Sequence, residues 1–154
     1  MADGKGSGTT AFECRHEILI DASPQAVFDY VTNPRSWPEW IAASHHIDSP
    51  DRPLGKGERF NEQWHTRTGG VRLDWIVTAC EPPHLWIAET GADFIGPIIV
   101  RYDCEPVGQG ARYVRTVRNP ARPRPATPEI VARVDEEAAT ALANIKTQVE
   151  RRSR

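Results

Sequence analysis

Residues 127–151 constrain this chain more than any other stretch, because they read as one long amphipathic helix. Thr127 offers a side-chain oxygen as N-cap, and Pro128 takes the first helical position, where a missing N–H costs nothing. Ile130, Val131, Val134, Ala138, Ala141, Leu142, Ile145 and Val149 follow. At helical spacing they all fall within an arc of roughly 120°, a core-facing stripe. Glu129, Arg133, Glu136, Glu137, Thr140, Asn144 and Thr147 occupy much of the opposite side. Arg151, Arg152 and Arg154 place cations at the end of the helix where its dipole favours them. Such a helix is roughly 37 Å long. Its stripe cannot stay in water, so the rest of the chain must supply a long apolar partner surface.

The preceding residues read as strands. Residues 12–21 alternate, with Phe12, Cys14, His16, Ile18 and Ile20 on one face and Glu13, Arg15 and Glu17 on the other. Ser23 as N-cap and Pro24 at the first position open a short helix carrying Val27, Phe28, Tyr30 and Val31, which Asn33-Pro34 ends. A second short turn over residues 35–41 presents Trp37 and Trp40 on one side. Strands follow at 44–49, 58–68, 71–80, 84–90, 98–105 and 111–118, divided by Gly and Pro. Gly69-Gly70 matches a two-residue hairpin turn, and a hairpin centred there pairs Trp64 almost directly with Trp75. Residues 119–127 (NPARPRPAT) read as a stiff link into the terminal helix. Short strands spaced this way make an antiparallel meander rather than βαβ units. With one long helix to cover its apolar face, the meander gives a two-layer α+β domain. The space between a curved sheet and such a helix is the natural place for a ligand.

At 154 residues the chain is expected to be one domain, residues 12–152, behind a disordered tail at 1–11 that has no apolar signal-peptide core. A net charge of −2 gives no global attraction to nucleic acid or anionic membranes, and no run is long enough for membrane insertion. Three cysteines without C-x-x-C spacing are expected to be reduced thiols in a cytoplasmic protein. No metal is implied: His45 and His46, adjacent in a strand, point to opposite faces, and His65 and His84 have no acid at ligand spacing. No cofactor is implied either, since P-loop, G-x-G-x-x-G and G-x-S-x-G motifs are missing.

The run from Ile18 through Ala22-Ser23-Pro24 to Trp37 and Trp40 resembles the opening of the START-like helix-grip (SRPBCC) superfamily. Its polyketide cyclase/dehydrase-like branch is the most similar. Gly55-Lys56-Gly57, Pro82-Pro83, the Gly-rich turn before the last strand and the long C-terminal helix continue the pattern, so the resemblance covers about residues 12–150. It implies a curved antiparallel sheet of about seven strands wrapped on the C-terminal helix, with two short helices after the first strand. It also implies a ligand cavity capped by the segment bearing Trp40. A shared cavity without a shared catalytic motif does not name a reaction.

Several residues are candidates for that site. Glu62 shares strand parity with Phe60 and Trp64. If these point inward, Glu62 is a carboxyl in an apolar cavity, with a raised pKa and an acid–base or hydroxyl-binding role; if that stretch is a rim, it is solvated. His16, on the face of Ile18 and Ile20, either joins Glu62 as a catalytic acid–base pair or is a satisfied core histidine. Trp40, Trp64 and Trp75, with Phe60 and Tyr102, either form an aromatic ligand-binding wall or simply fill the core. Residues 106–128 hold Arg112, Arg115, Arg118, Arg122 and Arg124 and no acid. They steer an anionic ligand, Arg115 among its contacts, or an acidic carrier protein, or they are a solvated strand face. Three functions remain open. The first is binding of a small hydrophobic, aromatic or polycyclic ligand by a monomer or homodimer. The others are a polyketide cyclase/dehydratase using Glu62 and His16, and a chaperone-activator-like interaction protein.

Overall fold

Apolar residues at every second position pair into sheet from residue 10 onward, and the two Ser/Thr-Pro starts open the helices. The computed structural model describes residues 10–42, 44–66 and 69–153. In chain order these are β1 Thr10–Ile20, α1 Pro24–Val31, a 3₁₀ helix Pro34–Glu39, β2 Ser44–Asp48, β3 Arg59–Thr66, β4 Gly69–Glu81, β5 Leu85–Ala92, β6 Gly96–Val107, β7 Gly110–Arg122 and α2 Pro128–Arg152. The seven strands form one antiparallel sheet in the order β1-β7-β6-β5-β4-β3-β2. β2 to β7 are a meander, and β1 closes it beside β7. The chain must therefore cross the whole sheet between β1 and β2, and α1 and the 3₁₀ helix make that crossing. With α2 laid on the same face, the molecule is an α+β helix grip.

Both helix starts behave as the sequence requires. Ser23 Oγ accepts from the Ala26 N–H at 3.1 Å, and Thr127 Oγ1 accepts from the Ile130 N–H at 3.2 Å. In the tighter 3₁₀ helix, side chains three residues apart eclipse one another, which sets Trp37 and Trp40 together with ring centroids 6.1 Å apart. Trp37 lies at the centre of an aromatic core, edge-on to Phe60 at 5.2 Å, Trp75 at 5.4 Å and Trp86 at 6.3 Å. Gly96 turns β5 into β6 with φ +77°, and a Cβ there would stand 2.4 Å from the Ala121 carbonyl oxygen, so only glycine fits.

Several local expectations are corrected. β1 begins at Thr10, inside the expected tail; residues 1–9 lie outside the described residues. β7 runs on to Arg122, taking half of the expected link, because Asn119 and Arg122 pair with Phe12 and Thr10. The β3–β4 connection falls at 67–68, also outside the described residues, and Gly69 already pairs with Thr66. Trp75 consequently opposes Phe60, and Trp64 opposes Val71 rather than Trp75. The shift is an even number of residues on each strand, so the inward faces are unchanged.

The eight-residue stripe of α2 also divides. Ala138, Ala141, Leu142, Ile145 and Val149 are buried, whereas Ile130, Val131 and Val134 are only half-buried. The C-terminal half of α2 is core. The middle of the helix, from Val134 to Asn144, stands over a hollow.

Candidate functional site

That hollow is a cavity of about 540 Å³ between the inner face of the sheet, α2 and the 3₁₀ helix. The volume lies within the range of small-molecule sites. Aliphatic floor comes from Ile98 and Val100 on β6 and Val117 on β7, each inward by strand alternation. Trp64 and Trp75 supply one wall and Trp40 another. Val134, Ala138 and Ala141 of α2 close the top with small side chains, which keeps the space open. Glu137, Thr140 and Asn144, expected on the solvent side of α2, line it as well. The helix thus presents the boundary of its stripe to the cavity rather than the middle.

Glu62 on β3 is fully inside, 1% exposed, and its Oε1 accepts from the Trp75 indole N–H at 3.1 Å. Its inward parity with Phe60 and Trp64 decides this, because β3 is covered by β2 and is not a solvated rim. Phe60 stacks on Trp75, planes 5° apart, and supports that wall from behind without lining the cavity. Tyr102 is likewise buried behind the cavity, stacked on Trp86 at 5.2 Å. Burial, reinforced by Glu62 and opposed by Arg115, pushes its phenol up to about 12. It is a neutral O–H donor at physiological pH.

His16 goes elsewhere. It faces α2 from β1, and its Nε2 stands 2.8 Å from Asp135 Oδ1. It does not line the cavity that holds Glu62, so the structure does not bring the two together. The remaining histidine expectations at 45 and 65 concern side chains outside the described residues. Among the described residues no three His, Cys, Asp or Glu side chains gather as a metal-holding group.

The arginine run is not a continuous patch. Arg112 pairs with Glu17 and Glu105, and Arg118 pairs with Glu13, so acids of β1 and β6 answer them on the outer face. Arg122 donates to the Arg124 carbonyl and lies 5.9 Å from the Phe12 ring centroid near the cavity. Arg115, at the opposite parity, turns inward and lines the cavity, its guanidinium carbon 5.6 Å from the Trp40 ring centroid.

The five tryptophans separate by their N–H groups. Trp37 donates to the Val31 carbonyl, Trp40 to Ser36 Oγ, Trp75 to Glu62 and Trp86 to the Leu54 carbonyl, all within 3.1 Å. Trp64 Nε1 is buried without an acceptor among the described residues. The N–H groups of the other four indoles are satisfied, including those of Trp40 and Trp75 at the cavity.

Such a helix-grip cavity has known counterparts. A profile of the family described as "Polyketide cyclase / dehydrase and lipid transport" matches residues 11–150. The chain belongs to this family. As a polyketide cyclase/dehydrase-family protein it has the SRPBCC architecture, in which sheet and C-terminal helix enclose an internal cavity for a small hydrophobic ligand. Its sequence is 29% identical over 118 residues to "Penitrem biosynthesis cluster 1 protein I" of Penicillium ochrochloron, covering 71% of this chain and 77% of that protein. Its structure is similar to that of Ara h 8.0201, with TM-score 0.70 and 13% identity over 91% of this chain and 98% of that one. The di-domain ARO/CYC StfQ from the steffimycin biosynthetic pathway superposes with TM-score 0.71 and 12% identity, over 92% of this chain and 52% of that one. Those two likenesses are of fold. No helix among the described residues is long and apolar enough to cross a membrane.

Trp37 as the centre of the core and the α2 residues in the cavity were not identified from sequence. The i, i+3 tryptophan spacing signals the first. Nothing local signals the second, because it depends on the roll of α2 about its axis.

Proposed function

We propose that the protein binds a small, largely apolar, ring-bearing molecule in the cavity beneath the middle of α2. The observation that carries this reading is the contrast between the two halves of α2. A helix that buries Ile145 completely and leaves Val134 over about 540 Å³ of space is held open rather than packed shut. Flat aromatic faces at Trp40, Trp64 and Trp75 suit stacking on rings, and the open Trp64 N–H suits an oxygen on the ligand. One chain supplies the whole site, so no partner subunit is required. Three free thiols suit a reducing compartment, and we assign the protein to the cytoplasm. The acidic-carrier and chaperone-activator readings lose their main support with the pairing of Arg112 and Arg118 inside the chain.

The test is titration with 1-aminoanthracene, an uncharged aromatic probe, followed by probe fluorescence and tryptophan quenching. Wild type should bind saturably. Ala138→Phe, which places a ring where a buried methyl closes the cavity, should abolish binding while the protein still melts cooperatively. Binding unaffected by Ala138→Phe would move the ligand out of this cavity.

A second reading, a cyclase or dehydratase, rests on Glu62, a carboxyl enclosed in the cavity wall. On any substrate found, Glu62→Gln should lose turnover while binding persists, since it keeps shape and removes the ionisable proton. A relative named for a biosynthesis cluster supports looking for such substrates among small secondary metabolites.

A further inference from the structure

Arg115 is the least explained charge in the molecule. It lines the cavity, and its Nε is buried without an acceptor among the described residues. No described carboxylate lies within ion-pair distance of it, although Arg112 and Arg118, three residues to either side, both have acid partners. Four glutamates line the same cavity without pairing with Arg115. Glu39 bonds Tyr30 and Arg152, and Glu62 stands on β3 with β4, β5 and β6 between and bonds Trp75. Asp135 bonds His16, and Glu136 and Glu137 on α2 make no ion pair with Arg115. Other nearby groups do not neutralise it. Tyr102, Tyr113 and Cys14 are all pushed above their ordinary values, burial foremost, so each stays protonated and uncharged at physiological pH. The Tyr102 phenol sits beside the guanidinium as a neutral group, and the Tyr113 phenol oxygen is buried without a partner among the described residues. A guanidinium, always charged and carrying five N–H donors, is thus held at the cavity with no opposite charge paired to it among the described residues. Enclosing a charge in this way is unfavourable until an opposite charge arrives.

We infer that the ligand is a carboxylic acid whose carboxylate pairs with Arg115, its apolar body lying along Trp40, Trp64 and Trp75. This rests on the binding reading above and names the chemical class of that ligand. A carboxylate matches the planar fork of a single guanidinium through two parallel hydrogen bonds; the second arginine that lines the cavity, Arg122, is already engaged with the Arg124 carbonyl and the Phe12 ring. Trp40, already against the guanidinium, shields the pair from water and strengthens it. Glu62 stands at the β3 end of the cavity, so with the carboxylate on Arg115 a ligand hydroxyl lies toward Glu62.

The experiment compares anthracene-2-carboxylate with its methyl ester at pH 7.5, by fluorescence titration, in wild type, Arg115→Gln and Arg115→Lys. The wild type should hold the acid about 10-fold or more tighter than the ester, the scale of a charge-assisted hydrogen-bond pair. Arg115→Gln should bring the acid down to the affinity of the ester without changing the ester. Arg115→Lys should retain part of the preference, as a point charge without the fork. Equal binding of acid and ester by wild type overturns the inference and leaves the cavity reading intact; so does a preference that survives in Arg115→Gln. Failure of both compounds and of 1-aminoanthracene overturns the cavity reading itself. The wild-type ratio alone decides against the inference should the glutamine variant not fold, and the lysine variant then tests the residue.

Discussion

Ile145→Ala and Ile130→Ala are one chemical change made at two places on one helix, and the structure separates them. Ile145 is completely buried and does not line the cavity, so truncation leaves a sealed hole. Three carbons leave the core, at about 0.8 kcal/mol per buried methylene, and the unfilled space adds to that. The loss should total about 3–4 kcal/mol, and a protein of this size should melt roughly 8–14 °C lower. Ile130 is only half-buried on the free half of α2. Little hydrocarbon is exposed by its truncation, and alanine's better helix propensity returns a few tenths of a kcal/mol. Its loss should stay under about 1 kcal/mol. Urea melts of the two variants, followed by far-UV circular dichroism and compared at equal slope, give both numbers. Equal losses would mean that the entire stripe is packed, and the division of α2 into a core half and a looser N-terminal half would have to be abandoned.

Two further outcomes follow from the same structure. Cys104 is buried and its thiol is pushed up to about 12 by that burial and by Asp103, so iodoacetamide at pH 8 should leave it unmodified in the native protein. After denaturation without reductant all three cysteines should alkylate, and an intact mass showing only one addition would refute the free-thiol assignment. Glu58 is held down to about 2 by the Arg52 side chain and then by the Gly55 N–H. Its folded value lies below its unfolded value, so its contribution is present above about pH 4.5 and fades as pH falls toward 2. The pair is half-exposed, so Glu58→Gln should cost no more than an exposed ion pair at pH 7 and nothing near pH 2. A cost independent of pH would show that the pair is not its source.

Much of this architecture is local, and the sequence by itself determined it. The caps at Ser23 and Thr127, the alternation of β1, the one face of β3 that Phe60, Glu62 and Trp64 share, and the amphipathic length of α2 all follow from side-chain period and nearby hydrogen bonding. These survive an error in register, as the displaced Trp75 pairing shows, because an even shift preserves the face. Only the tertiary structure decided the rest. It sent His16 to Asp135, 119 residues away, rather than to Glu62. It gave Arg112 and Arg118 acid partners on the outer face and left Arg115 at the cavity with none among the described residues. It rolled α2 so that Glu137, Thr140 and Asn144 meet the cavity while Ile130 meets little. A charge becomes a site or a surface detail according to which neighbours reach it, and those neighbours come from strands and helices far along the chain. Periodicity states which face a residue takes; it carries no record of what the opposite element brings to that face.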